Sequence, residues 1–349
     1  MRLEIHHGLG PATAEWDSLV VHGDPPTPFL WSWWLTDTVV GDLVVAAVYD
    51  DAGLVGGIAL QRDRVAGVER LRFVGAGILE PDHLDVVARP GRHQEVARQV
   101  AEWLRSGDRV VDLEGLSERS HLRPALGPRA SARPIELSPY ASLPGSFEEY
   151  MAARPGQVRS TVKRARKRLE AAGVTHDVVD ATSSAELRAD ALDALGALHD
   201  GRWGGKSALL DRWPALAAAL ADGLAAGQVV VHRLVHPDLG TIAVEADLLA
   251  GERTCFYQAG RLTDHEWRGS GSVLKAAAIE HAIASGHTEY DLLRGDEPYK
   301  GEWATARRPL FRVIVGCGPR GRLMQGVMEV NRWFEPWRVR RANAAKLSA

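Results

Sequence analysis

Apolar residues along this chain recur with two periods, and the alternation between them marks out its elements. Residues 43–60, LVVAAVYDDAGLVGGIAL, read as strand, Asp-Asp-Ala-Gly turn and strand, a hairpin. VERLRFVG (68–75), LDVVA (84–88) and RVVDLEGL (109–116) predict further strands. Between them, HQEVARQVAEWLRSG (93–107) sets Val96, Val100, Trp103 and Leu104 at helical spacing and stops at Gly107. Residues 116–146 are rich in Pro, Ser and Arg and hold a domain boundary. Within them ARPIEL reads as a strand that opens the second domain.

The C-terminal half begins with a helix over 146–173, ended by Gly173, then strand VTHDVV, a helix over 184–203 and another over 212–227. Strands QVVVHRLV, TIAVEADLLA and CFYQAG, joined by HPDLG and GERT turns, predict a three-stranded antiparallel meander. A Gly/Ser-rich turn, a helix to Ser285, strand EYDLLRG (289–295), the polar segment 296–303 and strand PLFRVIV follow. The tail from Gly321 reads as a basic helix kinked or broken at Pro336.

Composition narrows the class. The 349 residues suit two domains, and 45% hydrophobic with 25% charged residues is ordinary for a globular protein. A net charge of −3 gives no global preference for nucleic acid, so charge matters only where it clusters. Cys255 and Cys317 lie on apolar runs and are expected reduced and buried. The start lacks the layout of a signal peptide, and no apolar run reaches the ~18 residues of a membrane span. A soluble, cytoplasmic protein is expected. Of the eleven tryptophans, Trp31, Trp33 and Trp34 fall in one run, read as a buried helix rather than a ligand platform.

The halves look duplicated. Helix, Ser-Gly, short turn and strand with Asp-Leu occur twice, and Gly107 to Asp112 spans the same five residues as Gly286 to Asp291. In this register Arg89–His93 aligns with Arg268–Ser272. The first copy has Pro90 and Arg92 there, which work against close backbone approach by a ligand, so it looks like a domain that lost its site.

The second copy keeps RGSGS at the mouth of a helix. A helix N-terminus exposes unpaired N–H groups and partial positive charge, and glycine leaves them uncovered, so a diphosphate is the natural occupant. Amides from Gly269 to Val273 would wrap it and Arg268 would add a charge-assisted contact. Neither a triphosphate-loop pattern nor a complete Gly-x-Gly-x-x-Gly is present. Antiparallel strands, Arg-x-x-Gly-x, helix, strand is the layout of the acyl-coenzyme-A site in GNAT acyltransferases. Residues 255–303 resemble the GNAT-like family typified by CelD/BcsL proteins. Further points of likeness are TPFLWSWW, the basic helix VRSTVKRARKRLEAAG, Arg202-Trp203 ending a helix, and the block Asp291, Arg294, Gly295, Asp296, Glu297, Tyr299, Lys300. The resemblance spans roughly Trp16 to Val315.

It implies an α/β (α+β) fold of two tandem GNAT-like domains, with mixed, mostly antiparallel sheets flanked by helices. Expected boundaries are 1–130 for a first domain without cofactor site, 131–320 for an acyl-CoA-binding second domain, and 321–349 for the tail. The implied activity is N-acyl transfer, acetyl above all, from acetyl-CoA or another acyl-CoA to an amine on a small molecule or glycan. Fem-type aminoacyltransferases are similar too. YDLLRGDEPYK departs from their Tyr-Asp-Phe-Gly-Gly ending, which makes tRNA a less favoured partner. A third class is a non-catalytic binding protein of cell-envelope or polysaccharide assembly.

Amine acylation needs a base, a polarised carbonyl and a proton for the leaving thiolate. Strand alternation puts Thr241, Glu245 and Asp247 on one face. Glu245 is therefore a candidate base, or else a solvent-facing charge on a half-exposed strand. Backbone N–H groups around Tyr257, Gln258 and Ala259 would polarise the carbonyl where the acyl chain runs. Tyr299 is the candidate acid, and Lys300 either assists or binds an anionic group of the acceptor; the bland alternative is an aromatic anchor with a solvated lysine. Asp291 either takes part in catalysis or holds a turn, since it matches Asp112 of the silent copy. Seven cations from Arg154 to Arg168, Arg159 and Lys163 among them, oppose Glu170 alone; they meet an anionic partner or pair with acids elsewhere. Arg202, Trp203, Arg294 and Asp296 complete the acceptor side as the resemblance implies. The thirteen histidines show no metal-ligand spacing, and no metal is expected.

Overall fold

The strand-like runs all join one sheet. A computed structural model describes residues 1–203, 207–295 and 297–330; Arg202 and Trp203 enter by backbone alone. Their side chains, Asp296 and the tail beyond 330 with Pro336 lie outside the described residues. The first half runs β1 (Arg2–His6), α1 (Thr13–Val20), α2 (Ser32–Asp37), β2 (Asp42–Asp50), β3 (Gly53–Val65), β4 (Val68–Phe73), β5 (Val87–Ala88), α3 (His93–Arg105), β6 (Arg109–Ser117) and α4 (Leu122–Ala125). Then come β7 (Ser131–Ser142), α5 (Phe147–Ala152), α6 (Gly156–Ala171), β8 (Thr175–Val179), α7 (Ala185–Trp203), α8 (Trp213–Ala225), β9 (Val229–His236), β10 (Gly240–Ala250) and β11 (Arg253–Arg261). The chain continues through α9 (Ser270–Ala284), β12 (Glu289–Asp291), α10 (Pro298–Trp303), β13 (Ala306–Cys317) and α11 (318–330).

The strand order is β1-β2-β3-β4-β6-β13-β7-β12-β11-β10-β9-β8, with β5 paired to β3 beside this path. Read inward from either edge, the halves have the same plan: four strands joined in antiparallel fashion, a helix, then a parallel neighbour. The parallel pairs are β4 with β6 and β11 with β12, and α3 and α9 supply the crossovers that parallel strands need. At the centre the halves are joined through β13. β13, from the end of the chain, pairs with β6 of the first half, while β7 pairs with β12 of the second, and β7 and β13 pair with each other. The result is one mixed, mostly antiparallel sheet flanked by helices.

Sequence pattern and structure part at three points. The helix expected over 146–173 is two helices, because Pro155 has no N–H to give and pushes Arg154 out of helical backbone. The strand expected over 289–295 stops at Asp291, where Leu293 adopts φ 56° and its N–H turns back to Asp291 Oδ1. Within the Pro-rich segment 116–146, the ARPIEL strand extends to the twelve residues of β7 and lies in the middle of the sheet.

The tryptophan run is buried and joins the halves. Trp31 Nε1 donates to the Leu249 carbonyl at 2.8 Å and Trp33 Nε1 to Gln228 Oε1 at 2.6 Å. Trp34 and Phe29 pack edge-on against Tyr257. Cys255 and Cys317 are free and buried. Among the described residues no helix is long and apolar enough to cross a membrane, and no cluster of His, Cys, Asp or Glu is placed to hold a metal.

Candidate active site

Parallel pairing of β11 with β12 covers three residues, Arg253–Cys255 against Glu289–Asp291. Beyond it the strands part: β11 continues beside β10 to Arg261, while Leu292 N–H turns to the carbonyl of Pro139. Tyr257 is skipped in the pairing with β10, a bulge opposite the Ala246–Asp247 step, and its hydroxyl donates to the Leu79 carbonyl at 3.2 Å. The opening between the strands holds two cavities. One, of 300 Å³, is lined by Glu245, Arg268, Gly269, Gly271, Ser272 and Lys275 among others. The other, of 780 Å³, is lined by Glu80, His199, Gln258, Arg294, Glu297 and Lys300 among others. Phe256, Ala259 and Tyr299 line both, so the two meet at the splayed edge.

The Gly/Ser turn forms the mouth of the smaller cavity. Gly269 caps α9 with φ 87°, a left-handed conformation that glycine adopts without strain. Its carbonyl takes the N–H groups of Ser272 and Val273, both at 3.1 Å. Among the described residues no backbone carbonyl outside the helix takes the N–H of Ser270 or Gly271. The Ser270 hydroxyl is buried without a partner, and Arg268 is exposed. A Cβ on Gly271 would stand in van der Waals contact with Arg261, 3.4 Å from its Cδ, so any larger side chain there presses on a residue of the cavity wall. The Gly271 amide and the Arg268 guanidinium both line the cavity and are donors suited to an anion, while Ser270 lies buried behind them.

The basic helix reaches the same place. α6 buries Val158, Val162, Ala165 and Leu169, and a Cβ on Gly269 would stand 2.9 Å from Ala165 Cβ. Arg168 donates to the Arg268 carbonyl, and Arg166 pairs with Glu280 at 3.2 Å. Arg159 turns back to the carbonyls of Ala152 and Arg154, leaving Lys163, Arg164 and Lys167 on the exposed side.

Glu245 is no solvent-facing charge. It is buried, because α9 covers this face of the strand, and Lys275 Nζ lies 2.5 Å from its Oε1. The Tyr290 hydroxyl is 2.6 Å from the same oxygen and 2.9 and 3.0 Å from the two oxygens of Asp247. Burial, with Glu245 beside it, raises the Asp247 carboxyl well above its ordinary range; burial lowers the Lys275 ammonium, with Glu245 and Asp247 opposing. Lys275 Nζ also stands 3.2 Å from the centre of the Phe256 ring.

Asp291 lies at the fork. It accepts from Ser138 Oγ at 3.0 Å, Arg253 Nη2 at 2.5 Å and its own turn at Leu293 N, and meets His83 Nε2 at 2.9 Å. Burial alone would raise its carboxyl, but His83, Arg253 and Arg308 hold it far below the usual range. Asp112 has the corresponding place after β4 and β6 part, and meets Arg312 in two bonds of 2.6 and 2.7 Å. Arg294 is buried against Asp82, Glu114 and the Pro81 carbonyl. Lys300 donates to the Arg294 carbonyl and stands 3.0 Å from Glu297. Tyr299 is 40% exposed and lines both cavities.

The structure therefore gathers Glu245, Gln258, Tyr257, Tyr299, Lys300, Arg294 and the 268–272 turn around one opening, sets Asp291 behind it, and puts Arg159 and Lys163 on the neighbouring helix. Sequence reasoning missed Lys275, Tyr290 and Glu80. Lys275 had a signal, a single cation inside an apolar helical run; Glu80 had none, since it arrives on a loop of the other half.

In the first half the corresponding opening is filled. The loop from Phe73 to the start of α3 threads through it, burying Leu79 and Leu84, and Leu84 bridges in parallel to Leu116. Arg92, before α3, is engaged by Glu95 and Asp50.

Residues 156–301 match the model of the acetyltransferase (GNAT) domain family. None of the curated proteins compared matches the sequence. Among solved structures, FemX is similar at a TM-score of 0.66 with 11% identity, over 92% of this chain and 99% of that one. The C-terminal domain (DUF2156) of a putative lysylphosphatidylglycerol synthetase from Agrobacterium fabrum is similar at 0.59 with 11% identity, over 93% and 96%. The L-PGS structure from Bacillus licheniformis is similar at 0.54 with 10% identity, over 77% and 83%. The chain thus has a doubled GNAT-type fold, and its residues 156–301 match a GNAT acetyltransferase domain.

Proposed function

We propose that this protein is an N-acyltransferase of the CelD/BcsL type that takes an acyl group, acetyl above all, from acyl-coenzyme A. The observation that carries the reading is the joint position of the 268–272 turn, with the Gly271 amide free, and the splayed edge of β11 on one cavity. The diphosphate is held at the turn by the Gly271 amide and Arg268. The thioester reaches Phe256–Ala259, where backbone N–H groups polarise its carbonyl. The larger cavity receives the amine. The C–N bond forms and the C–S bond breaks. Glu245 takes a proton from the amine, and Tyr299 returns one to the leaving sulfur. Lys300, Arg294 and Asp291 hold the walls in place through the bonds described above. In this reading residues 1–130 form a unit without a donor site, 131–320 the catalytic unit, and 321–349 an appended tail.

One observation favours a second donor. Lys163, Arg164 and Lys167 extend positive charge outward from the turn, as a charged tRNA would require. Calorimetry with coenzyme A, acetyl-CoA and aminoacyl-tRNA on the wild type and Gly271→Trp separates the two. Coenzyme A bound by the wild type and lost in Gly271→Trp supports the first reading. No coenzyme A binding, with salt-sensitive tRNA binding instead, overturns it in favour of the second.

A further inference from the structure

The polar groups under α9 do not end at Glu245. They continue through the domain to a different surface. Glu245 opens on the 300 Å³ cavity of the donor turn. Asp247, two residues on, lines a separate cavity of 230 Å³ together with His232. The Tyr290 hydroxyl bridges the two carboxyls. His232 Nε2 is 3.8 Å from Asp247 Oδ2, and the cavity beside both has room for a bridging water. His232 Nδ1 lies 3.2 Å from Nε2 of His176, which is exposed. Each group but the last is almost wholly buried, and burying this many ionisable side chains works against stability.

We infer that Glu245, Tyr290, Asp247, His232 and His176 form a proton relay that carries the proton released by acyl transfer from the active site to solvent on the far side of α9. This inference rests on the acyltransfer reading above. The balance requires such an exit. An ammonium that becomes an amide loses two protons; the leaving sulfur takes one, and one must go to water. The net proton passes to Glu245, then through Tyr290 to Asp247, while Asp247 yields its own to His232 and His232 to His176. No redox partner is needed. Burial raises the Asp247 carboxyl above its ordinary range and lowers the His232 imidazole, so a proton that reaches His232 is held weakly and passes on to His176. Lys275 and His281 on α9 also face His232, and Asp177, Arg166, Glu280 and His281 surround His176; all of them set the pH at which the chain conducts.

The test uses the full chain with saturating acetyl-CoA and amine. His232→Ala is expected to lower kcat at least about 100-fold with KM for both substrates kept, and added imidazole is expected to restore most of it. His176→Gln, at the exposed end, is expected to lower kcat less and to make it depend on buffer concentration. Unchanged kcat in both variants, or a loss in His232→Ala that imidazole does not relieve, overturns the relay. A second measurement needs no turnover and so separates this from failure of the donor reading. Infrared difference spectra at pH 7 should show a protonated-carboxyl band that is absent in Asp247→Asn and displaced in Tyr290→Phe. An ionised Asp247 overturns the relay whether or not coenzyme A binds.

Discussion

Arg294 Nε lies 2.6 Å from Oδ1 of Asp82, 212 residues earlier in the chain, and both side chains are buried. The same guanidinium reaches Glu114 at 2.8 Å and the Pro81 carbonyl at 2.9 Å. One side chain thus fixes the loop of the first half that walls the larger cavity. Truncating it leaves Asp82 buried without its counter-charge. Arg294→Met should cost about 3–5 kcal/mol in urea denaturation. Arg294→Lys should recover only part of that, because an ammonium cannot replace three directed bonds from one planar group.

The helix over the larger cavity is held close by an absent side chain. A Cβ on Gly260 would stand 2.7 Å from His199 N, Leu198 C and Leu198 Cβ, so β11 and α7 cannot keep their distance if it is added. Gly260→Ala should cost about 1–3 kcal/mol as overpacking. Gly201→Ala, on the same helix with open space around it, should be neutral or stabilising by up to about 1 kcal/mol. Thermal unfolding of the two variants checks both signs.

Acid should weaken the fork at Asp291. Its folded pKa lies below its unfolded value near ~3.9, since His83, Arg253 and Arg308 outweigh the effect of burial. A depressed carboxyl gives its full stabilisation above the unfolded pKa and loses it as pH falls from there toward the folded one. Denaturation of wild type and Asp291→Asn at pH 7, 5 and 3 should therefore show a gap that is constant from 7 to 5 and narrower at 3.

Lys275 and Glu245 should prove strongly coupled. Lys275→Met alone leaves a buried carboxylate unpaired and should cost about 3–5 kcal/mol. Glu245→Gln combined with Lys275→Met should cost less than that single change, because the charge goes with its partner. A double-mutant cycle by chemical denaturation measures the difference.

The doubled plan was legible because its signals are local. Helix, glycine, short turn and strand recur at 93–117 and 270–291, and Pro90 and Arg92 against Gly269 and Gly271 separate an occupied turn from an open one. The Gly/Ser turn was found for the same reason, since positive φ and a bare backbone are written in the residue itself. Glu245 was chosen by strand period alone, which tells faces apart but not what covers them; the expected solvent-facing alternative gave way once α9 was seen to lie across it.

By itself the sequence determined the elements, their repeat and the anion-suited turn, because apolar period, glycine and proline act on the few residues around them. Only the tertiary structure decided which strands are neighbours, that β13 lies between β6 and β7, and which charges are buried in pairs. A strand's alternation is the same whatever lies beside it, and a carboxylate reads the same in sequence whether it faces water or a lysine 30 residues away. Those choices are made when distant surfaces meet and exclude solvent, so the opening between β11 and β12 and the polar path beneath α9 exist only in the folded chain.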